Sequence, residues 1–255
     1  MSETVKVLLS RIREKVEESR STDYIMPVFL PFIPALLMIV GGIIFGVSAV
    51  IFTSETLTYG IPATGISLIG IGTTLTVAGL IVNIYVIYEW VNRRNKHFLR
   101  TQELYETITE LAEKLKFDNV SLLKSRLNEL KAYSKTRRPV LNAILSMIVP
   151  FYVFYVYHFL NKDFVKHGER EALYLADLID EIKKKHKGFT RRVEELKKVP
   201  NRSTLLYIIL TIITGLFVIY WVYTLTKDPN EHFETHVIME KDILDALNEI
   251  ASSAQ

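Results

Sequence analysis

Four apolar runs, at residues 25–52, 61–91, 139–161 and 203–226, constrain this chain more than any other feature of its sequence. About 20 apolar residues at about 1.5 Å each span the roughly 30 Å of a bilayer's hydrocarbon. The first two runs exceed that length, and the link between them, "TSETLTYG", carries no Lys or Arg. They are expected to form a transmembrane hairpin. The third and fourth are only just long enough to cross once.

Positive charge bears on which of two topologies the short runs adopt. Lys and Arg near membrane ends favour the cytoplasmic side. Residues 1–25 carry Lys6, Arg11, Arg13, Lys15 and Arg20, and residues 93–138 and 162–202 carry twelve such side chains each. The tail beyond 226 has only Lys227 and Lys241. Four ordinary spans would put one of the two most basic segments outside. Entering and returning keeps both inside, and Pro150, which removes a backbone donor, favours a bend. A kinked spanning helix is the alternative, since membrane helices tolerate proline. The fold class expected is all-α and membrane-integral, with two transmembrane helices, two re-entrant or kinked spanning segments, and amphipathic cytoplasmic helices.

A shift of 65 residues lays "RRPVLNAILSMIVPFYVFYVYHFLNKD" over the fourth run. Arg137 meets Arg202, Tyr155 meets Tyr220, and Asp163 meets Asp228. Pro150 falls on Gly215, one helix-weakener over another, and His167 falls on His232. A fainter copy is "NIYVIYEWVNRRNKHF", at the end of the second run. The expected organisation is an amphipathic helix over 1–24, a transmembrane hairpin over 25–92, a cytoplasmic helical hairpin over 93–138, and repeat units over 139–200 and 201–255. The helix in 1–24 either lies on the membrane surface or packs on the protein's own cytoplasmic part. Leucine and isoleucine at helical spacing predict further helices near 99–117, 120–135 and 168–186 and in the tail, with a short one through "TRRVEELKKV" ending at Pro200. Such stripes need covering, within one chain or between copies in a coiled-coil layer.

Composition narrows the chemistry. The chain has no cysteine, which excludes disulfides, thiolate metal sites and cysteine nucleophiles. Charged residues make up 23% despite 49% hydrophobic content, so a water-facing part is required. Lys and Glu are common and Gln nearly absent, the drift of hyperthermophile proteins, so a thermophilic, archaeal source is expected.

His232, His236 and Glu240 fall four apart on one helix face, a spacing that can ligate a divalent metal, although "HFETH" is not the metalloprotease pattern. A solvated helix face is the plain alternative, and no other cofactor is implied. Glu89 and Arg93, also four apart, are expected to pair at the interface. Gly42 and Gly46 in the first span, with Gly65, Gly72, Thr76, Gly79 and Asn83 in the second, read as a helix-packing surface, or else as a pore lining. Arg93, Arg94, Lys96, Arg137, Arg138, Lys183, Lys184 and Lys185 are expected near lipid headgroups. Pro150 and Gly215 mark the membrane bends. No nucleophile–base set is evident, and no nucleic-acid module accompanies the basic clusters. The expected protein is a non-enzymatic, self-associating, multi-pass cell-membrane scaffold or bilayer-shaping protein, with lipids and its own copies as partners. An oligomeric channel or small transporter is the alternative.

Overall fold

The computed structural model describes residues 2–59 and 63–253, and every regular element among them is helical. The first helix, α1 (Glu3–Thr22), starts where the Ser2 hydroxyl accepts from the Val5 N–H. Its stripe of Val5, Leu8, Leu9 and Ile12 is buried in the main hydrophobic core at the charge-rich end of the molecule. Of the two placements open to this helix, packing on the protein's own polar part is the one observed.

The apolar hairpin is α2 (Ile33–Tyr59), preceded by a single 3₁₀ turn at Leu30–Phe32, and α3 (Ala63–Lys114). Both helices are long and apolar enough to cross a membrane. At 52 residues, α3 is about 78 Å long and runs on past the apolar stretch. The sequence suggested separate helices over 61–91 and 99–117. No Gly or Pro lies between them, so nothing interrupts the rod. The chain then turns into α4 (Val120–Tyr133), which packs back on the charge-rich part.

The third and fourth runs each fold as a short limb and a long return. α5 (Pro139–Ile148) stops before Pro150, the chain reverses through Phe151 at φ 64°, and α6 (Tyr152–Lys185) runs back. α7 (Thr204–Thr214) ends on Gly215 at φ 66°, a left-handed conformation that costs glycine little, and α8 (Phe217–Ser253) returns. The helices expected near 168–186 and in the tail are therefore continuations of α6 and α8. Around "TRRVEELKKV" the structure has only one 3₁₀ turn, Val193–Glu195, in an irregular strap. Its buried apolar residues are Phe189, Leu196 and Val199.

Two ion pairs define these hairpins. Arg137 donates to both Asp163 oxygens at 3.0 and 3.2 Å, and Arg202 to both Asp228 oxygens at 2.9 and 3.1 Å. The same arginines reach Tyr155 Oη and Tyr220 Oη. Each fork joins the start of a limb to a residue 26 positions on, so the return comes back to the level where the limb began. These contacts match one another at the 65-residue shift.

Three asparagines link the hairpins in a ring. Asn95 on α3 accepts from Arg137 N and donates to Arg137 O, holding the chain that leads into α5. Asn161 on α6 grips Pro200 O and Arg202 N ahead of α7. Asn230 on α8 grips Met26 N and O ahead of α2, which closes the circle. The interior beneath them is aromatic: Tyr157 meets Trp90 at 5.8 Å and Trp221 at 5.2 Å between ring centroids.

Arg93 repairs a fault in α8. Pro229 lies inside this helix and has no N–H for the Leu225 carbonyl one turn back. The Arg93 guanidinium donates to Leu225 O at 3.1 Å and to Thr226 O at 3.3 Å instead. The Glu89–Arg93 pair expected from sequence is accordingly replaced: Arg93 turns inward to these carbonyls and to Asn230.

Candidate functional site

Where the three hairpins meet the charge-rich core, the structure buries four histidines and several carboxylates. His97 (α3), His167 (α6) and His232 (α8) come one from each hairpin, and His236 and Glu171 each follow one turn later on α8 and α6. The His97 ring lies 5.1 Å from that of His232, 4.8 Å from His236 and 5.3 Å from His167. One donor atom from each of His97, Glu171, His232 and His236 falls within 4.8 Å of the others, a set that could hold a metal ion. Phe98, Phe164 and Phe233 pack around these rings and keep water out.

Partners behind these side chains fix their orientation. His232 Nδ1 is 2.8 Å from the Lys197 carbonyl of the strap, so it carries the proton and donates. His236 Nδ1 lies 3.0 Å from Glu240 Oε1, and its Nε2 lies 3.0 Å from Glu171 Oε2. Tyr105 Oη donates to Glu171 Oε1 at 2.9 Å. Arg100 forks between Asp23 and Glu240, with shortest contacts of 2.7 and 2.6 Å. His97 Nδ1 is 3.1 Å from Asp23 Oδ2, yet neither of its ring nitrogens makes a well-aligned hydrogen bond. His167 Nε2 and His232 Nε2 each lie 3.5 Å from a Glu171 oxygen and make no well-aligned hydrogen bond either.

The electrostatics follow from burial set against these neighbours. Burial would raise the Glu171 carboxyl, but His236 and His167 outweigh it and hold it well below the usual range. Burial disfavours a charged His236, yet Glu171 and Glu240 push it up to about 10. His167 and His232 lack enough compensation, so burial drives His167 down to about 4 and His232 far below its ordinary value. At neutral pH these shifts make His236 an imidazolium between two carboxylates and leave His167 and His232 neutral.

Of the set expected from sequence, His232 and His236 do point into this cluster. Glu240 stands behind His236, 3.0 Å from its Nδ1, and pairs with Arg100. His97, Glu171, Asp23, Arg100 and Tyr105 were not foreseen as members. One signal existed: the 65-residue shift lays Glu171 on His236, as it lays His167 on His232.

The remaining expected sites divide. Gly72 and Gly79 sit so close to α2 that a Cβ would fall within 3 Å of its atoms, and Gly65 is nearly as tight. Thr76 Oγ1 bonds to Gly72 O, and Asn83 Nδ2 reaches Met147 Sδ of α5. These residues therefore lie at helix contacts within the chain. Gly42 and Gly46 face away from α3, and the contact on α2 is made by Gly41. Arg93 and Arg94 are buried and unavailable to headgroups; Arg94 pairs with Asp163 at 2.8 Å and stacks on Phe98. Arg137 is half-buried on Asp163, while Lys96 and Arg138 are exposed at the hairpin bases. Lys183, Lys184 and Lys185 lie about 30 Å along α6 from Asp163. No family model, curated protein or solved structure matches the chain.

Proposed function

We propose a structural, non-enzymatic role for this chain as an integral membrane protein that loads one leaflet more than the other. In this reading α2 and the first part of α3 cross the bilayer, while the α5–α6 and α7–α8 hairpins enter from the cytoplasmic face and return. The observation that carries it is the pair of forks, Arg137–Asp163 and Arg202–Asp228, each tying the two ends of a short hairpin at one level. The limbs support the same reading by their size. Ten or eleven residues reach about 15 Å, half the hydrocarbon thickness. Their tips are apolar and bare: Phe151 is 79% exposed, Ile148 71% and Ile213 74%. Tyr155 and Tyr220 sit beside the arginines at the hairpin bases, where an amphipathic ring suits the interface.

Two wedges in one leaflet expand that leaflet alone, which favours bilayer curvature. A channel along α3 has less support, because Gly72, Thr76 and Gly79 are taken up in contact with α2. The cysteine-free background gives a direct test of topology. Lys187→Cys and Asp245→Cys, both at exposed positions, should react with an impermeant maleimide from the same side, and Thr56→Cys from the opposite side. Labelling of 187 and 245 from opposite sides overturns the re-entrant arrangement. Giant vesicles should tubulate as protein density rises; vesicles unchanged at high density overturn the shaping role.

A further inference from the structure

We propose that His97, Glu171, His232 and His236 bind one divalent first-row transition metal ion, zinc or a close relative, which clasps the three hairpins together. Each hairpin supplies part of the set: α3 gives His97, α6 gives Glu171, and α8 gives His232 and His236. A tetrahedral site with bonds near 2.0 Å needs ligand atoms roughly 3.3 Å apart. His236 Nε2 lies 3.0 Å and His232 Nε2 3.5 Å from Glu171 Oε2, and all four ligand atoms fall within 4.8 Å of one another. Small rotations of the side chains would close the site.

Independent observations point to an ion. Buried polar atoms are nearly always satisfied, yet both nitrogens of His97 and Nε2 of His232 have no hydrogen-bond partner. A neutral imidazole has one lone pair to give, so a cation at the centre would take that of His232 Nε2 and that of a single His97 nitrogen, the other His97 nitrogen carrying the proton. The outer contacts match those that support metal-bound histidines. Lys197 O fixes His232 and Glu240 fixes His236 through Nδ1, which leaves each Nε2 for the ion. Tyr105 occupies Oε1 of Glu171 and leaves Oε2. Charge agrees as well. Asp23, Glu171 and Glu240 are buried against the single guanidinium of Arg100, leaving two negative charges for a divalent ion to offset once the histidines are neutral.

The donor set selects the metal. Three imidazoles and one carboxylate suit zinc, cobalt, nickel or iron, and disfavour calcium and magnesium, which take oxygen. All four ligands are buried, as in closed structural sites, so metal binding would act as folding energy rather than open a reactive position.

The test uses the full chain in detergent, stripped with a chelator and dialysed. Titration with Zn²⁺ should show one ion per chain, and Co²⁺ should give the visible d–d bands of four-coordinate nitrogen and oxygen ligation. Melting temperature should rise with Zn²⁺ and fall again with EDTA. His236→Gln and Glu171→Gln should each weaken Zn²⁺ affinity at least tenfold, whereas His158→Gln and His186→Gln, outside the cluster, should leave it unchanged. Variants are compared only where far-ultraviolet circular dichroism shows intact helices; if none folds, stoichiometry and the Co²⁺ spectrum of the unmodified chain decide. Stripped protein that takes up neither ion at micromolar concentration would show the cluster to be an ion-pair network and overturn the proposal. So would folded His236 and Glu171 variants that bind as tightly as the parent. The outcome is independent of the topology labelling.

Discussion

Replacing Gly72 by alanine tests whether α2 and α3 are joined backbone to backbone. A Cβ at this position would lie 2.7 Å from Phe45 N, 2.8 Å from Gly41 O and 3.0 Å from Phe45 Cα. All three are backbone atoms, so no side chain can turn aside. Ordinary contact begins near 3.4 Å, which means the helices must part by about 0.7 Å at the nearest atom. Overpacking of this kind costs about 1–3 kcal/mol. Alanine also favours a helix over glycine by about 1 kcal/mol, which partly hides the loss. Gly70→Ala removes that ambiguity. It lies two residues away on the same helix, faces open space, and gains the propensity without the clash. The difference between the two variants is therefore the overpacking cost itself. Unfolding in mixed micelles, followed by circular dichroism, should place Gly72→Ala about 1–3 kcal/mol below Gly70→Ala. Equal stabilities would refute the close packing and return Gly72 to the candidates for a pore lining.

Asn230→Ala should cost about 1–3 kcal/mol, because it strands the N–H and C=O of fully buried Met26 and loosens Arg93; an unchanged unfolding midpoint would show that the ring of asparagines holds nothing. Glu181 accepts from the backbone N–H of Asp118 and the side chain of Asn119, latching the turn between α3 and α4, and Glu181→Gln should cost about 1–2 kcal/mol at neutral pH. Burial opposes ionisation of Glu181, but Lys184 and the hydrogen bonds prevail and its folded pKa is lowered from 4.5. The stabilisation is thus full above pH 4.5 and fades as pH falls through the lower folded value, so the gap between Glu181→Gln and the parent should shrink in acid and persist from pH 6 to 8.

Local chemistry accounts for much of this architecture. The four apolar runs, the reversals at Pro150 and Gly215, and the stripes on α1 and α4 are visible from residue type and spacing, because burial periodicity and backbone freedom are properties of a few neighbouring residues. The 65-residue shift lays the Arg137–Asp163 fork on the Arg202–Asp228 fork. Continuity was harder to see: polar linkers such as "NRRNKHF" resemble helix boundaries, but they contain no helix breaker, and packing of the charge-rich end carries α3 straight through them. Least visible were the partners that side chains find across the fold. Arg93 and Arg94 look like headgroup cations until Pro229 leaves a carbonyl open and Asp163 comes within reach. His97 and Glu171 lie 74 positions apart and carry no shared motif. Only the meeting of the three hairpins brings them beside His232 and His236, since the free energy that gathers buried polar groups depends on which surfaces meet and not on their order along the chain.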